Sequence, residues 1–399
     1  MKGVLLQPRD PLILRDGRPF TAGGRAHSLP VVPPSVTTGT LRTLAGTVEG
    51  RFDPNLVEHL LARGVCGPIL LDLTDDSDAL NGETWLLPVP RDAEFTQVGA
   101  RSEARRMPLT DPGGTTDLDL LLFTTDTLEK VRETPRAWNW TQWSEWLAGA
   151  TGVTLRPAGE VPALLTEERT HVSIDASSGT AADRLLFQTS ALNFTWAPAR
   201  PGPGVAGNEA PPPDLSAAPW KQLGLLLWTD LDLPVLPGLT RMGGEGRLVT
   251  VTESGAARPA CPEAVLEQVA RTGGVRVYLL TPAVFAGGWL PGSLLEDTPE
   301  LRVTLRAAAT DRPLVLSGWD YARGGAKPTR RLVPAGSVYY LQLDGDEAAR
   351  RAWVESHWFV SVSDDPQDQR DGFGLAVLGA WDPGDLQGSA DSSGEWVDE

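Results

Sequence analysis

Apolar and polar residues alternate along much of this 399-residue chain in a way that predicts short strands with a few helices between them. Helical spacing occurs over 36–45 and over 53–64, where Asp53 can act as the N-terminal cap. Two later segments are predicted as helix then strand, 261–282, and as strand, helix and strand, 336–363. Residues 3–20 are predicted as two short strands around a turn at Asp16–Gly17, and 171–197 as strand, polar loop and strand. Further strand-like runs stand at 85–90, 118–125, 152–157 and 221–233.

Strand–helix–strand units in both halves predict an α+β fold with two small split-βαβ domains. We place an N-terminal domain at 1–160 and a C-terminal domain at 161–381, which contains a long Pro/Gly-rich loop at 198–219. The tail at 382–399 has six acidic residues and no basic one, so we expect it to be disordered.

A tryptophan-rich segment, 138–147, places Trp140, Trp143 and Trp146 at near-helical steps. The pattern favours an amphipathic helix whose aromatic face is buried in the core. A surface for a partner protein and a platform for stacking RNA bases are the alternatives.

The charge balance is acidic, because 52 acidic residues outnumber 35 basic ones and give a net charge of −17. This balance argues against a protein coated in basic charge, but it allows a local basic groove. Cys66 and Cys261 lack metal-binding spacing and no nucleotide-binding motif is evident, so we predict neither a metal site nor a cofactor. With no signal peptide and no apolar run of membrane-spanning length, we expect a cytoplasmic protein.

Basic residues nevertheless cluster in three segments, each of which combines cations with glycines. Residues 1–42 contain six basic and two acidic residues, 240–247 reads TRMGGEGR, and 323–331 contains four basic residues and no acidic one. Arginine binds phosphate through a fork of donors, and glycine lets backbone N–H groups approach an anion. The three segments therefore predict a local groove for a nucleic-acid backbone.

Two histidines stand where they can act on RNA. His171 lies near Arg169 in a strand-like run, where its ring can contact phosphate. His27 lies in the loop GGRAHSLP beside Arg25, where it can act as a general acid or base on a ribose hydroxyl.

The opening stretch DPLILRDGRPF, residues 10–20, resembles the N-terminal signature of a RAMP-superfamily family, the third subunit of the type III-B (Cmr) CRISPR effector complex. Further motifs agree with that family in chain order over nearly the whole sequence. They are PPSVTTGTLRT, ERTHVSID, MGGEGR, PAVFAGGWLP, SGWD with PTRRLVPAGSVYYL, and the closing GFGLAVLGAWD.

The resemblance implies two ferredoxin-like (RRM-like) domains and a non-catalytic subunit that holds the 5′ tag of the CRISPR RNA (crRNA). It implies contact with the large palm-domain subunit and with the backbone RAMP subunit, and only indirect contact with target RNA. It also implies a C-terminal glycine-rich loop, which corresponds here to Gly372, Phe373 and Gly374.

We therefore expect a hairpin near the N-terminus whose aliphatic side chains pack inward and whose arginines face single-stranded RNA. Charge reversal of Arg15 and Arg18 should then weaken RNA retention. The complete set of predicted RNA-binding residues is Arg15, Arg18, Arg25, Arg169, His171, Arg241, Gly243, Gly244, Arg247, Arg323, Lys327, Arg330, Arg331, Gly372, Phe373 and Gly374.

Two other functions fit the same sequence. A metal-independent endoribonuclease that processes guide-RNA precursors would use His27 as its base and would lose cleavage in His27→Ala. A protein-only scaffold, suggested by the acidity and the 14 tryptophans, would retain no RNA even in the assembled complex.

Overall fold

The structure is a computed structural model in which the chain forms a mixed α and β fold with mainly antiparallel sheets, in agreement with the predicted class. No helix in the part of the chain that the structure describes is long and apolar enough to cross a membrane. The structure describes residues 1–16, 25–73, 82–98, 101–110, 117–122, 134–150, 152–157, 161–196, 221–234, 236–320 and 325–386.

In chain order the strands are β1 (Lys2–Pro8), β2 (Arg25–Ala26), β3 (Thr47–Val48), β4 (Arg51–Phe52), β5 (Val65–Asp72), β6 (Trp85–Pro88), β7 (Ala93–Val98), β8 (Arg101–Arg106), β9 (Leu109–Thr110), β10 (Leu121–Leu122), β11 (Ala137–Trp138), β12 (Gly152–Thr154), β13 (Leu165–Ile174), β14 (Ala181–Asn193), β15 (Thr195–Trp196), β16 (Lys221–Thr229), β17 (Gly238–Met242), β18 (Arg247–Ser254), β19 (Gly274–Leu279), β20 (Leu301–Ala309), β21 (Leu314–Leu316), β22 (Trp319–Asp320), β23 (Gly325–Ala326), β24 (Arg330–Leu332), β25 (Val338–Gly345) and β26 (Ala376–Trp381). The helices are α1 (Pro34–Ala45), α2 (Val57–Leu61), α3 (Trp140–Leu147), α4 (Glu263–Thr272), α5 (Glu347–His357) and α6 (Pro366–Arg370). Short 3-10 turns lie at Pro54–Leu56, Gly82–Thr84, Gly292–Leu295 and Pro383–Leu386.

The first main sheet has the strand order β11, β6, β5, β16, β1, β18, β17. β1 lies between β16 and β18 and is antiparallel to both. Alternate side chains of a strand point to opposite faces, so Val4 and Leu6 pack in a core with Leu41 of α1, whereas Leu5 packs against a second core. The consecutive residues of β16 from Leu223 onward are all buried, which explains its continuous aliphatic run.

The second main sheet has the strand order β20, β25, β19, β26, and every neighbouring pair is antiparallel. Helices α4 and α5 pack against each other beside this sheet. The buried residues Val265, Leu266 and Val269 of α4 have helical spacing. The helix ends at Gly273, whose φ of 74° favours glycine.

Sheet pairing does not follow the domain boundary predicted between 160 and 161. Strands β16 to β18 lie beyond that boundary, yet they pair within the first main sheet with β1 and β5. The pairing favours a division between Ser254, where β18 ends, and Glu263, where α4 begins. The predicted loop 198–219 and most of the predicted tail lie outside the described residues.

The tryptophan-rich segment forms α3, which contacts strands of both main sheets. Asn139 begins the helix through a capping box, in which its side chain accepts from the N–H of Gln142 at 2.9 Å and the Gln142 side chain accepts from the N–H of Asn139 at 3.1 Å. Trp143 and Trp146 are fully buried, and Trp146 Nε1 donates to the Tyr278 hydroxyl at 3.1 Å. The prediction of a helix that buries its aromatic face is confirmed.

A buried carboxylate, Asp92, links the segment before β7 to the second main sheet. Its Oδ2 accepts hydrogen bonds from the hydroxyls of Tyr278 at 2.7 Å and Tyr340 at 2.8 Å, and lies 3.5 Å from Nε of Arg106. The Arg106 guanidinium lies 4.1 Å above the ring of Trp146. Burial raises the pKa of Tyr278 to about 12, so its hydroxyl stays protonated and donates to the carboxylate.

Candidate RNA interface

The opening segment, residues 10–16, is joined by backbone hydrogen bonds to two distant parts of the chain. Leu12 exchanges bonds of 2.9 and 2.8 Å with Leu192, near the end of β14. The N–H of Gly244, in the turn between β17 and β18, donates to the carbonyl of Ile13 at 2.8 Å. Two of the predicted RNA-binding segments therefore contact each other, although more than 200 residues separate them.

The predicted N-terminal hairpin forms with a different partner from the one that we expected. β1 has a strand on each edge, so it does not pair with the stretch that follows it. Instead, the N–H of Leu29 donates to the carbonyl of Leu14 at 2.7 Å, and the N–H of Asp16 donates to the carbonyl of His27 at 3.0 Å. The predicted turn is Asp16–Gly17, and of these two residues the structure describes only Asp16.

Ser28 fixes the opening segment to the hairpin of β13 and β14. Its N–H donates to the hydroxyl of Ser190 at 2.7 Å, and its own hydroxyl donates to the Ser190 carbonyl at 2.5 Å. The same hydroxyl accepts from the N–H of Leu14 at 3.1 Å. Ser28 also forms an antiparallel backbone β-bridge with the exposed residue Arg15. These bonds therefore hold the backbone of Arg15 at a fixed place beside the hairpin.

One face of the hairpin combines a cation with a flat ring pair. The strand register sets Arg169 opposite Thr189 and His171 opposite Phe187. The rings of His171 and Phe187 stack at 5.0 Å with an angle of 12° between their planes, and His171 Nε2 lies 2.9 Å from Thr189 Oγ1. Stacked rings beside an arginine are suited to single-stranded RNA, whose bases and phosphates are both accessible.

Arg169 also links this face to the other segments electrostatically. Its hydrogen bond to Glu167, 2.5 Å long, is the main cause that raises the pKa of Arg169. The negative charges of Glu245 and Asp10 also raise the pKa of Arg169. Glu245 belongs to the glycine turn and Asp10 to the opening segment, so both segments act on Arg169. The guanidinium is partly exposed and keeps its charge.

The glycine turn 243–247 has a packing role that the sequence did not indicate. A Cβ at Gly243, where φ is 72°, would lie 2.9 Å from the carbonyl oxygen of Ile13, so only glycine permits this close approach. The N–H of Gly244 donates its hydrogen bond to the same carbonyl. Two cations stand at the ends of the turn. Arg241, near the end of β17, is exposed, and Arg247, which begins β18, pairs with Glu245 at 2.6 Å.

The third basic segment, 323–331, is described from residue 325 onward and presents two cations to solvent. Lys327 and Arg331 are exposed. Arg330 points inward instead, forms an ion pair with Asp368, and lies 5.0 Å above the ring of Phe373. Burial raises the pKa of Asp368, and the positive charge of Arg330 opposes that shift.

The predicted glycine loop is an interior turn rather than an exposed cradle. Gly372, Phe373 and Gly374 are buried. Their N–H groups donate in turn to the carbonyls of Gln369, Asp368 and Pro282, at 3.0, 3.0 and 2.8 Å. None of the three amides is therefore available to an RNA phosphate, and we do not carry these residues into the proposed contact.

Gly372→Ala should lower the stability of the fold, although Gly372 is not part of the proposed RNA contact. The φ of Gly372 is 90°, and a Cβ would lie 2.5 Å from the carbonyl oxygen of Gly67, so backbone strain and a clash add to a cost of at least about 2 kcal/mol. Gly50 has a φ of 78° but open space around it, so Gly50→Ala isolates the strain alone. Urea denaturation should show a clearly larger loss for Gly372→Ala, and equal losses would contradict the packing role.

Three predicted residues are described incompletely or not at all. Arg18 and Arg323 lie outside the described residues, and only the backbone of Arg25 is described, where it pairs with Gln188 in a parallel register. Within the described ranges, no group of three or more His, Cys, Asp and Glu side chains is arranged to hold a metal ion.

The sequence pattern of the family described as CRISPR-associated protein (Cas_Cmr3) matches residues 4–381. The chain belongs to this family. The resemblance to the third subunit of the type III-B effector complex is thereby confirmed. No protein of curated function matches the sequence of this Cas_Cmr3 family member.

Solved structures with similar folds come from CRISPR complexes. A chain from "Cryo-EM structure of the Type III-B Cmr-beta bound to cognate target RNA and AMPPnP, state 1" is 14% identical, with a TM-score of 0.45 over 85% of this chain and 86% of that chain. A chain from the Csm3–Csm4 subcomplex in the type III-A CRISPR-Cas interference complex is 11% identical, with a TM-score of 0.33 over 96% of this chain and 100% of that chain.

Phe187 is a residue of the candidate RNA interface that the sequence analysis of this Cas_Cmr3 family member did not name. Its ring stacks on His171, and its position follows from the register of the hairpin. The sequence did not reveal this pair, because symmetric closure around the turn DASSG, residues 175–179, would set His171 opposite residue 183. An irregularity between Val172 and Ile174 shifts the register so that His171 lies opposite Phe187 instead.

Proposed function

We propose that this chain is a non-catalytic subunit of a type III-B CRISPR effector complex that holds the 5′ tag of the crRNA. The observation that carries the proposal is the convergence of the opening segment, the β13–β14 hairpin and the glycine turn through the bonds of Leu12 and Ile13. These bonds bring together the segments that carry Arg15, Arg169 and Arg241, and we take the cations of the three segments as one surface of an otherwise acidic protein. Such a local basic surface is suited to an RNA backbone.

The RNA surface in this proposal is made of exposed and half-buried side chains of the converging segments. Its cations bind phosphates, and the His171–Phe187 pair provides a face on which an unstacked base can lie. The residues are Arg15, Arg169, His171, Phe187, Arg241 and Arg247, extended by Lys327 and Arg331. Leu29 supports this extension, because it packs in one apolar cluster with Leu316, Leu332 and Phe373.

The proposal includes two ferredoxin-like units. If β1, β5, β16 and β18 are numbered 1 to 4 in chain order, they stand in the sheet as 4-1-3-2, and so do β19, β20, β25 and β26. This antiparallel order, with α1 after the first strand of one sheet and α5 after the third strand of the other, supports split-βαβ units divided after Ser254. The neighbours in the complex would be the large palm-domain subunit and the backbone RAMP subunit.

Co-expression with the neighbouring CRISPR genes, purification through a tag on this chain and sequencing of the retained RNA test the proposal. We expect short RNAs that share one 5′ end. Copurified proteins without RNA, or RNA with random ends, would support the scaffold alternative instead. Cleavage of precursor RNA in the presence of chelator, lost in His27→Ala, would support the endoribonuclease alternative.

A further inference from the structure

The crossover from β19 to β20 carries an exposed apolar pair that the RNA surface does not explain. Trp289 and Leu290 are 37% and 38% exposed, and they stand near the C-terminal end of the motif PAVFAGGWLP. In the first main sheet the corresponding crossover contains helix α1, whereas here its described helical element is the 3-10 turn Gly292–Leu295. The crossover thus presents apolar side chains to solvent where a helix would bury them.

The loop that carries this pair is held rigidly. The carboxylate of Asp364 binds both of its ends, because Oδ2 accepts from the N–H of Ala286 at 2.7 Å and Oδ1 accepts from the N–H of Ser293 at 2.8 Å. The hydroxyl of buried Tyr339 donates to the carbonyl of Trp289 at 2.7 Å. These bonds fix the backbone of the loop, so little backbone entropy is lost on binding, and an aromatic residue on such a support is typical of a protein interface hot spot.

The charge around the loop decides which kind of partner fits. Between residues 281 and 301 the chain contains Glu296, Asp297 and Glu300 and no basic residue, and these three acids are exposed. An RNA base stacked on Trp289 would bring its phosphates to a crossover that carries three carboxylates and no cation, and like charges repel. A protein surface with basic residues around an apolar pocket has the complementary charge.

We propose that the Trp289–Leu290 loop is a docking site for another protein subunit of the complex, one with an apolar pocket for the indole and basic residues around that pocket. The inference rests on the proposed function, since it takes the partner from the same effector complex. Trp289 is then the anchor of the contact, and the acidic side chains steer the partner's basic rim toward it.

Binding of purified chain to the purified large palm-domain subunit and, separately, to the purified backbone RAMP subunit tests the inference without RNA. We expect Trp289→Ala to weaken the affinity for one of them about 30-fold or more. Trp289→Phe should keep most of the affinity. Glu296→Lys with Glu300→Lys should weaken the same contact and reduce its dependence on salt. Val48→Ala, which removes an exposed apolar side chain elsewhere, is the matched control and should change nothing.

Unchanged affinity for both subunits in folded Trp289→Ala would overturn the inference. Loss of crRNA retention by Trp289→Ala with both protein affinities intact would also overturn it, in favour of base stacking on the indole. If the wild-type chain binds neither subunit, the proposed function and the inference both fail. If it binds a subunit but Trp289→Ala binds equally well, only the inference fails.

Discussion

Asp92→Ala is expected to destabilise the protein by about 3–5 kcal/mol, because it removes one partner of a buried ion pair. The side chain of Asp92 is fully buried, and only a fifth of the Arg106 side chain is exposed. Without Asp92, the guanidinium loses its counter-charge, and the hydroxyls of Tyr278 and Tyr340 lose their acceptor. Urea denaturation followed by tryptophan fluorescence measures the loss.

A nearby exposed pair gives the control for this prediction. Arg91 and Asp311 form an ion pair of 2.8 Å in which each side chain is about half exposed, so Asp311→Ala should cost at most about 1 kcal/mol. Arg106→Met combined with Asp92→Ala should recover part of the loss, since the uncompensated buried charge is gone. Equal losses for Asp92→Ala and Asp311→Ala would show that the buried network does not hold the second sheet in place.

Charge reversal of two site arginines is expected to weaken crRNA binding by about 100-fold or more, since each charge-assisted contact with phosphate is worth roughly 1.5–3 kcal/mol. The variant is Arg15→Glu with Arg241→Glu, which changes one arginine of the opening segment and one of β17, beside the glycine turn. The slope of log affinity against log salt should fall by about 0.7 for each lost contact with single-stranded RNA. Titration of 5′-labelled crRNA into the assembled complex at several NaCl concentrations gives both quantities.

Arg51→Glu with Arg302→Glu is the matched control for the RNA experiment. It changes the net charge by the same amount at two exposed arginines outside the converging segments. Because steering by net charge acts on both double variants alike, the difference between them reports the local contacts. Equal loss in both would contradict a specific RNA surface, provided that thermal denaturation shows both variants folded.

Local sequence patterns predicted the elements well where the contacts are local. The tryptophan helix was predicted from apolar spacing alone, and the structure adds the cap at Asn139, whose bonds reach only three residues ahead. Helix α4 follows from its spacing and from the glycine that ends it. The basic segments were also recognisable, because the arginines and glycines of each are close together in the chain.

The contacts that assemble the site are not local, and the sequence did not reveal them. Leu12 bonds to Leu192 and Ile13 to Gly244 through backbone atoms, which leave no signature in side-chain composition. The same holds for the domain boundary, since β16 pairs with β1 across a separation of more than 200 residues. Burial of Phe373 was missed because a short motif between glycines looks alike in an exposed loop and in an interior turn.

Photo-crosslinking of the 5′ tag of crRNA to the assembled complex, with the crosslinked peptides identified by mass spectrometry, tests the central claim most directly. We predict crosslinks in the opening segment, in the β13–β14 hairpin near His171 and Phe187, and in the glycine turn between β17 and β18. Crosslinks from the tag that fall wholly on other subunits, or on this chain only around Trp289, would contradict the account.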